Sequence, residues 1–118
     1  MTLKSIWLLI MFLPVWGVEL LAESRSHQDP VRVFIFAGQS NMVGSDSKVE
    51  DIKRFPPFVG LESPQPKVRF AYCLGREEKM TSNGWTVLQP VNEIVGPELS
   101  FARKVTQTID APIAIIKV

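Results

Sequence analysis

The sequence predicts an α/β fold built on a parallel sheet. Two apolar runs carry this prediction, "VRVFIFA" at 31–37 and "IAIIKV" at 113–118. Both runs are rich in β-branched or aromatic side chains, which is typical of strands covered on both faces of a parallel sheet. A helical pattern directly precedes the second run, so the two strands and the helix form the pattern of a βαβ crossover.

The N-terminal residues 1–24 are interpreted as a secretory signal peptide. Lys4 precedes an apolar run at 6–18, and small residues follow at the expected cleavage site. A membrane anchor is the alternative, but a spanning helix needs about 20 apolar residues and Glu19 interrupts the run. We therefore expect a secreted or periplasmic protein with no membrane contact after cleavage, beginning with a polar lead-in at 25–30.

The middle of the chain predicts irregular structure with one short helix. "KVEDIKRF" could form a helix at 48–55 with Val49, Ile52 and Phe55 facing inward. Four prolines and a glycine in "FPPFVGLESPQP" then predict a loop.

A β-hairpin is predicted next. "KVRFAYC" at 67–73 alternates apolar and polar residues, and "WTVLQP" at 85–90 is a second candidate strand. The turn signal "SNG" lies between them. We expect the two strands to pair outside the main sheet, with Trp85 packed.

The clearest helix lies within "VGPELSFARKVTQTIDAP". Pro97 suits the first helical position, and Glu98 suits the positive end of the helix dipole. An inward stripe is predicted at spacings of three, three and four residues, and it consists of Leu99, Ala102, Val105 and Ile109. Pro112 ends the pattern.

Composition excludes several classes of partner and site. The chain has 13 basic and 12 acidic residues without a long basic run, so we expect no nucleic-acid partner. Cys73 is the single cysteine, so neither an intramolecular disulfide nor a cysteine metal site can form. It is interpreted as a small buried apolar residue.

Ser40 is the candidate reactive residue. It lies in "GQSNM", just past the carboxyl end of the first predicted strand, where ligands gather in open α/β sheets. Gly38 would let the backbone turn there, and free N–H groups at a helix start could stabilise an oxyanion. The alternative is that Ser40 or Asn41 caps the helix. The nucleophile elbow of α/β-hydrolases is absent, because Met42 occupies its second glycine position.

"VFIFAGQSNMVG" resembles the first block of the SGNH (GDSL-like) hydrolases, in the variant seen in carbohydrate esterase family 6 and the sialate O-acetylesterase domain. "GWTVLQPV", "VGPELSFARKV" and "IAIIKV" are similar to the segments that follow in that family. The resemblance implies a flavodoxin-like three-layer α/β/α fold with a parallel sheet. It implies that residues 31–118 are the N-terminal part of such a domain, so the fold is expected to be incomplete in this chain.

The resemblance also implies residue roles. Ser40 would be the nucleophile, and its own backbone N–H would donate to the oxyanion. Gly96 would be a second oxyanion donor, although its role could equally be to permit the turn before Pro97. The family's Asp and His are expected after Val118. His27 is not expected to act as the base, because a seven-residue strand of roughly 23 Å separates it from Ser40.

The implied activity is hydrolysis of acetyl esters on sugars, of the sialate or xylan type, by a secreted serine esterase. Its partner would be an acetylated carbohydrate, and it would need no metal or organic cofactor. Because the Asp and His of the triad are missing, the chain by itself is expected to have little activity. The alternatives are a catalytically inactive fragment and a carbohydrate-binding remnant.

Overall fold

The fold is described by a computed structural model for residues 29–77 and 79–118. The predicted signal peptide, His27 and residues 25–28 of the lead-in lie outside the described residues. In chain order the elements are β1 (Arg32–Phe36), α1 (Ser40–Val43), two 3₁₀ helices (Val49–Arg54 and Pro56–Phe58), β2 (Gln65–Leu74), β3 (Met80–Thr81), β4 (Thr86–Leu88), α2 (Pro97–Thr108) and β5 (Ile113–Lys117).

The sheet is mixed but mainly parallel. Its strands follow the order β1-β5-β2-β3, and β4 also pairs with β2. β5 is parallel to both of its neighbours, so that Ile115 lies between Phe34 of β1 and Phe70 of β2. The predicted α/β class and the parallel pairing of the first and last strands are confirmed.

The predicted hairpin forms, but its predicted place outside the main sheet is wrong. β3 and β4 both return antiparallel to β2, while the other edge of β2 pairs with β5. Val68 and Phe70 are fully buried on the face of β2 that carries the core. Because this alternating strand has one strongly apolar face, it can join the main sheet and contribute that face to the core.

α2 covers one face of the sheet and closes the core. It begins at Pro97, as predicted, and Leu99 and Ala102 of the predicted stripe are fully buried. Val105 and Ile109 pack against the core and are partly buried. The buried core consists of Ile52, Leu61, Val68, Phe70, Leu88, Leu99, Ala102, Ile113 and Ile115.

β1 is not covered on both faces, which corrects the prediction from its apolar run. Phe34 and Phe36 pack against the core, but Val33 and Ile35 are 51% and 70% exposed. β1 is the last strand on its side of the described sheet, and α2 packs against the Phe34 face. Its opposite face therefore lies open in the described structure.

Three further predictions need correction. The 3₁₀ helix Val49–Arg54 buries Ile52 as expected, but Phe55 is exposed because the backbone leaves helical geometry at that residue. Trp85 is 51% exposed rather than packed, because it lies in the turn that joins β3 to β4. Cys73 is partly exposed rather than buried.

Candidate functional site

Ser40 lies at the carboxyl edge of the parallel sheet. β1 ends at Phe36, and its pairing with the end of β5 continues through a hydrogen bond from the Val118 N–H to the Phe36 carbonyl, 2.8 Å long. The Gly38 N–H then donates to the Val118 carbonyl at 3.3 Å. Two residues later Ser40 begins α1. This is the position, past the end of a parallel strand, that the sequence predicted for it.

The Ser40 side chain is exposed and does not cap α1. The N-cap is Gln39, and no side chain caps this end of the helix. The hydroxyl of Ser40 and the amide of Asn41 make no hydrogen bond to any residue that the structure describes. The capping alternative is therefore wrong for both residues.

Gly38 is explained by crowding rather than by its backbone angles. Its φ does not fall in the left-handed region. A Cβ atom at this position would lie 2.8 Å from the Cβ of Met42, which is too close for two carbon atoms that are not bonded to each other. The glycine therefore lets α1 fold back directly over the end of β1.

The end of α1 packs against the segment that leads into α2. Gly44 ends the helix in the left-handed conformation, with φ of 85°, which glycine adopts without steric cost. A Cβ atom on Gly44 would lie 2.6 Å from the Val95 carbonyl oxygen and 2.9 Å from the Gly96 Cα atom. The two segments predicted to supply oxyanion donors therefore lie against each other.

Gly96 is not needed for the turn before Pro97. Its φ of −91° and ψ of 168° are extended values that any residue adopts. Instead, a Cβ atom at Gly96 would lie 2.2 Å from Nζ of Lys117 and 2.3 Å from Oε2 of Glu98. The glycine leaves room for a buried ion pair.

This ion pair was missed by the sequence analysis. Lys117 Nζ lies 2.7 Å from Oε2 of Glu98, and each side chain exposes only 2% of its surface. Nζ also donates to the Val43 carbonyl at 2.9 Å. A lysine inside an otherwise apolar strand was the available signal, because a buried charge requires a partner. No sequence pattern indicates which acidic residue would pair with it.

A cleft of about 620 Å³ lies beside the Ser40 turn. Its lining includes Asn41 and Gly96, together with the aromatic residues Phe55 and Phe58. Ser40 itself is not among the lining residues. The lining residues also include acidic and basic side chains, among them the ion pair between Arg54 and Asp51.

The described residues contain no histidine, since the single histidine of the chain is His27. Across 29–77 and 79–118, no group of three His, Cys, Asp or Glu side chains is placed to hold a metal ion. In the same ranges, no helix combines the length and apolar character needed to span a membrane.

Comparisons with protein-family models, with curated proteins and with solved structures give no match for this chain.

Proposed function

We propose that this chain carries the nucleophile of a secreted carbohydrate O-acetylesterase of the SGNH type, with Ser40 in that role. Ser40 would attack the carbonyl carbon of a sugar acetate and release the sugar hydroxyl. Water would then hydrolyse the acetyl-enzyme to acetate. In this proposal the described sheet is the N-terminal part of a flavodoxin-like three-layer domain.

One observation carries the proposal. Ser40 is the first residue of a helix that follows the carboxyl end of a parallel strand. Its hydroxyl is exposed and has no hydrogen-bonding partner among the described residues. A structural serine at a helix start usually caps the helix, and Ser40 does not. Its hydroxyl is therefore free to meet a substrate that approaches this edge.

The backbone around Ser40 supports an oxyanion site. The first N–H groups of a helix have no partner within the helix, and Ser40 is the first residue of α1. The Gly96 N–H makes no backbone hydrogen bond within the described ranges. We propose these two N–H groups as the donors that stabilise the tetrahedral intermediate.

The adjacent cleft offers room for the sugar. Its volume of about 620 Å³ falls within the range of small-molecule sites, roughly 300–1,000 Å³. Phe55 and Phe58 give it apolar surface, on which the C–H face of a sugar ring can pack. Asp46 and Lys48 add polar groups for its hydroxyls.

The general base is the part of the mechanism that the described residues do not supply. A serine hydroxyl stays protonated at neutral pH and is a weak nucleophile until a base accepts its proton. The family resemblance assigns this role to a histidine, oriented by an aspartate, that would follow Val118. We therefore expect turnover only from a form of the protein that includes these two residues, called here the complete gene product, and little from the chain of 118 residues.

The decisive experiment compares 4-nitrophenyl acetate hydrolysis by the complete product of this gene with that of its Ser40→Ala variant. We expect the variant to lose at least about 1,000-fold in kcat, because the nucleophile is removed while the oxyanion donors remain. Ser45→Ala is the matched control, since Ser45 is another exposed serine that follows α1. Wild-type rates in Ser40→Ala would remove Ser40 from the mechanism.

A carbohydrate-binding protein without catalytic activity is the second candidate, and the exposed Trp85 favours it. Indole rings on a protein surface commonly pack against the apolar face of sugars, and Trp85 is available for such a contact. In this case the complete gene product would bind acetylated xylo-oligosaccharides without releasing acetate, and Trp85→Ala would abolish that binding. Ser40→Ala would leave it unchanged.

A further inference from the structure

The buried pair formed by Lys117 and Glu98 connects three elements. Lys117 is the last residue of β5, and Glu98 lies in the first turn of α2. Lys117 Nζ donates to Glu98 Oε2 at 2.7 Å and to the carbonyl of Val43 at 2.9 Å. Val43 is the last residue of α1, so the lysine joins the sheet and α2 to the helix that begins with Ser40.

The hydrogen bond to Val43 supports an element that could not hold its own position. α1 has four residues, far fewer than the roughly 12–15 residues that make an isolated helix even marginally stable. The carbonyl of its last residue has no partner within the helix. The ammonium group of Lys117 is that partner, because it donates a hydrogen bond to the Val43 carbonyl.

Stability alone does not explain a charged pair at this place. Transferring both charges from water is costly, and well-packed apolar residues of similar size are often as stabilising as a buried pair or more so. Apolar side chains could fill the volume beside Gly96, but they could not donate a hydrogen bond to Val43. The property that only the charged pair provides is the link to α1.

We propose that Lys117 and Glu98 are positioning residues. They hold α1, which begins with Ser40, against the segment 95–96 that leads into α2. Glu98 fixes the ammonium group of Lys117, and Lys117 fixes the end of α1. The consequence for catalysis rests on the proposed esterase function, whereas the consequence for the order of α1 does not. The two consequences can be measured separately.

The first test is hydrogen exchange in the unmodified chain. The N–H groups of Val43 and Gly44 donate to the carbonyls of Gln39 and Ser40 at 2.9 and 2.8 Å. If Lys117 holds α1 in place, these N–H groups are protected from exchange by at least about 100-fold relative to a free peptide. Exchange at the rate of a free peptide would overturn the proposal, whatever the enzyme assay shows.

The second test separates positioning from global stability. Lys117→Met alone leaves Glu98 buried without its partner and is expected to destabilise the fold strongly. The double variant Lys117→Met/Glu98→Met removes both charges and should return the thermal midpoint close to that of the wild type. In the double variant, we expect residues 39–47 to exchange faster by about 10-fold or more while β2 and β5 keep their protection.

Lys104→Met is the matched control, because Lys104 is an exposed lysine of α2. It should change neither the exchange of residues 39–47 nor the thermal midpoint. Equal protection of residues 39–47 in the double variant and the wild type would overturn the positioning role. If the double variant does not fold, exchange of Val43 and Gly44 at the rate of a free peptide in the unmodified chain would still overturn the proposal.

The catalytic consequence is tested in the complete gene product. With 4-nitrophenyl acetate, the double variant should lose about 10- to 100-fold in kcat with little change in KM, because misplacement of a reacting group affects the chemical step. A wild-type kcat in a double variant whose residues 39–47 exchange faster would overturn this consequence. If the wild-type protein has no esterase activity, the esterase proposal fails, while the exchange measurements still decide whether the pair positions α1.

Discussion

At the scale of single residues, the space at Gly96 decides what the site can contain. Extended backbone at this position would accept any side chain. The space beside it is occupied by Nζ of Lys117 and the carboxylate of Glu98. Both of these atoms are fixed by burial and by their mutual hydrogen bond, so neither can move aside without breaking the pair.

Gly96→Ala should therefore destabilise the protein by about 1–3 kcal/mol, the usual cost of forcing extra atoms into a packed interior. Urea unfolding of both proteins measures the difference in the free energy of unfolding. Gly84→Ala is a useful comparison, because a Cβ there has open space and only its left-handed φ of 71° opposes the change. A stabilised Gly96→Ala variant would show that the ion pair does not limit this position.

At the scale of secondary-structure elements, α2 is held to β1 by an aromatic cluster. The ring of Phe101 lies edge-on to Phe34 and Phe36, with centroid separations of 4.8 and 5.3 Å. Edge-to-face geometry is the preferred arrangement of such rings. This contact holds the edge strand that leads to Ser40 against the helix that begins beside Gly96.

Phe101→Ala should lower the free energy of unfolding by about 3 kcal/mol, near the lower limit for removing a core phenylalanine, because the ring is only partly buried. Phe101→Leu keeps most of the volume and should cost less than about 1.5 kcal/mol. Chemical denaturation followed by far-ultraviolet circular dichroism measures both values. A loss of less than 1.5 kcal/mol in the alanine variant, about the cost of a conservative swap, would show that the cluster does not hold β1.

α2 also organises the proline-rich segment beside the cleft. Arg103 donates from Nη1 to the carbonyl of Val59 at 2.9 Å and from Nη2 to the carbonyl of Pro57. Gln65 donates from Nε2 to the carbonyl of Leu99 at 2.8 Å. These contacts turn a stretch that the sequence predicted only as a loop into one wall of the cleft.

At the scale of the whole molecule, the sheet carries its core on one face, and β1 leaves its opposite face open. Val33 and Ile35 point away from α2, and β1 has no further strand beside it in the described structure. An apolar face next to an unpaired strand edge favours self-association. We expect the purified chain of 118 residues to self-associate as its concentration rises.

Ile35→Lys should reduce this association at little cost to stability, about 0.5 kcal/mol or less, because the side chain is already largely in solvent. Light scattering across a concentration series measures the association. Phe34→Lys is the matched control on the opposite face of β1, where it should unfold the protein by placing a charge in the core. Equal association of wild-type protein and the Ile35→Lys variant would show that this face is not responsible.

The sequence was sufficient to predict the elements whose signals are local. The start of α2 at Pro97 and its stripe through Leu99 and Ala102 are confirmed, because both depend on spacing within one helix. The parallel pairing of β1 and β5 is also confirmed. Exposure of Val33 and of Trp85 was predicted wrongly, since exposure depends on which other elements cover a residue.

By itself, the sequence determined the α/β class and the place of Ser40 at the start of a helical turn after β1, because both follow from periodicity and from the glycine that ends the strand. Only the tertiary structure decided that Gly96 lies against Gly44, and that Lys117 joins Glu98 and Val43 beneath the turn. These residues are distant in the chain, and no local pattern encodes their meeting. These contacts form when β1, β5 and α2 pack together. The packing buries the charge of Lys117, and a buried charge is stable only with hydrogen-bonding partners.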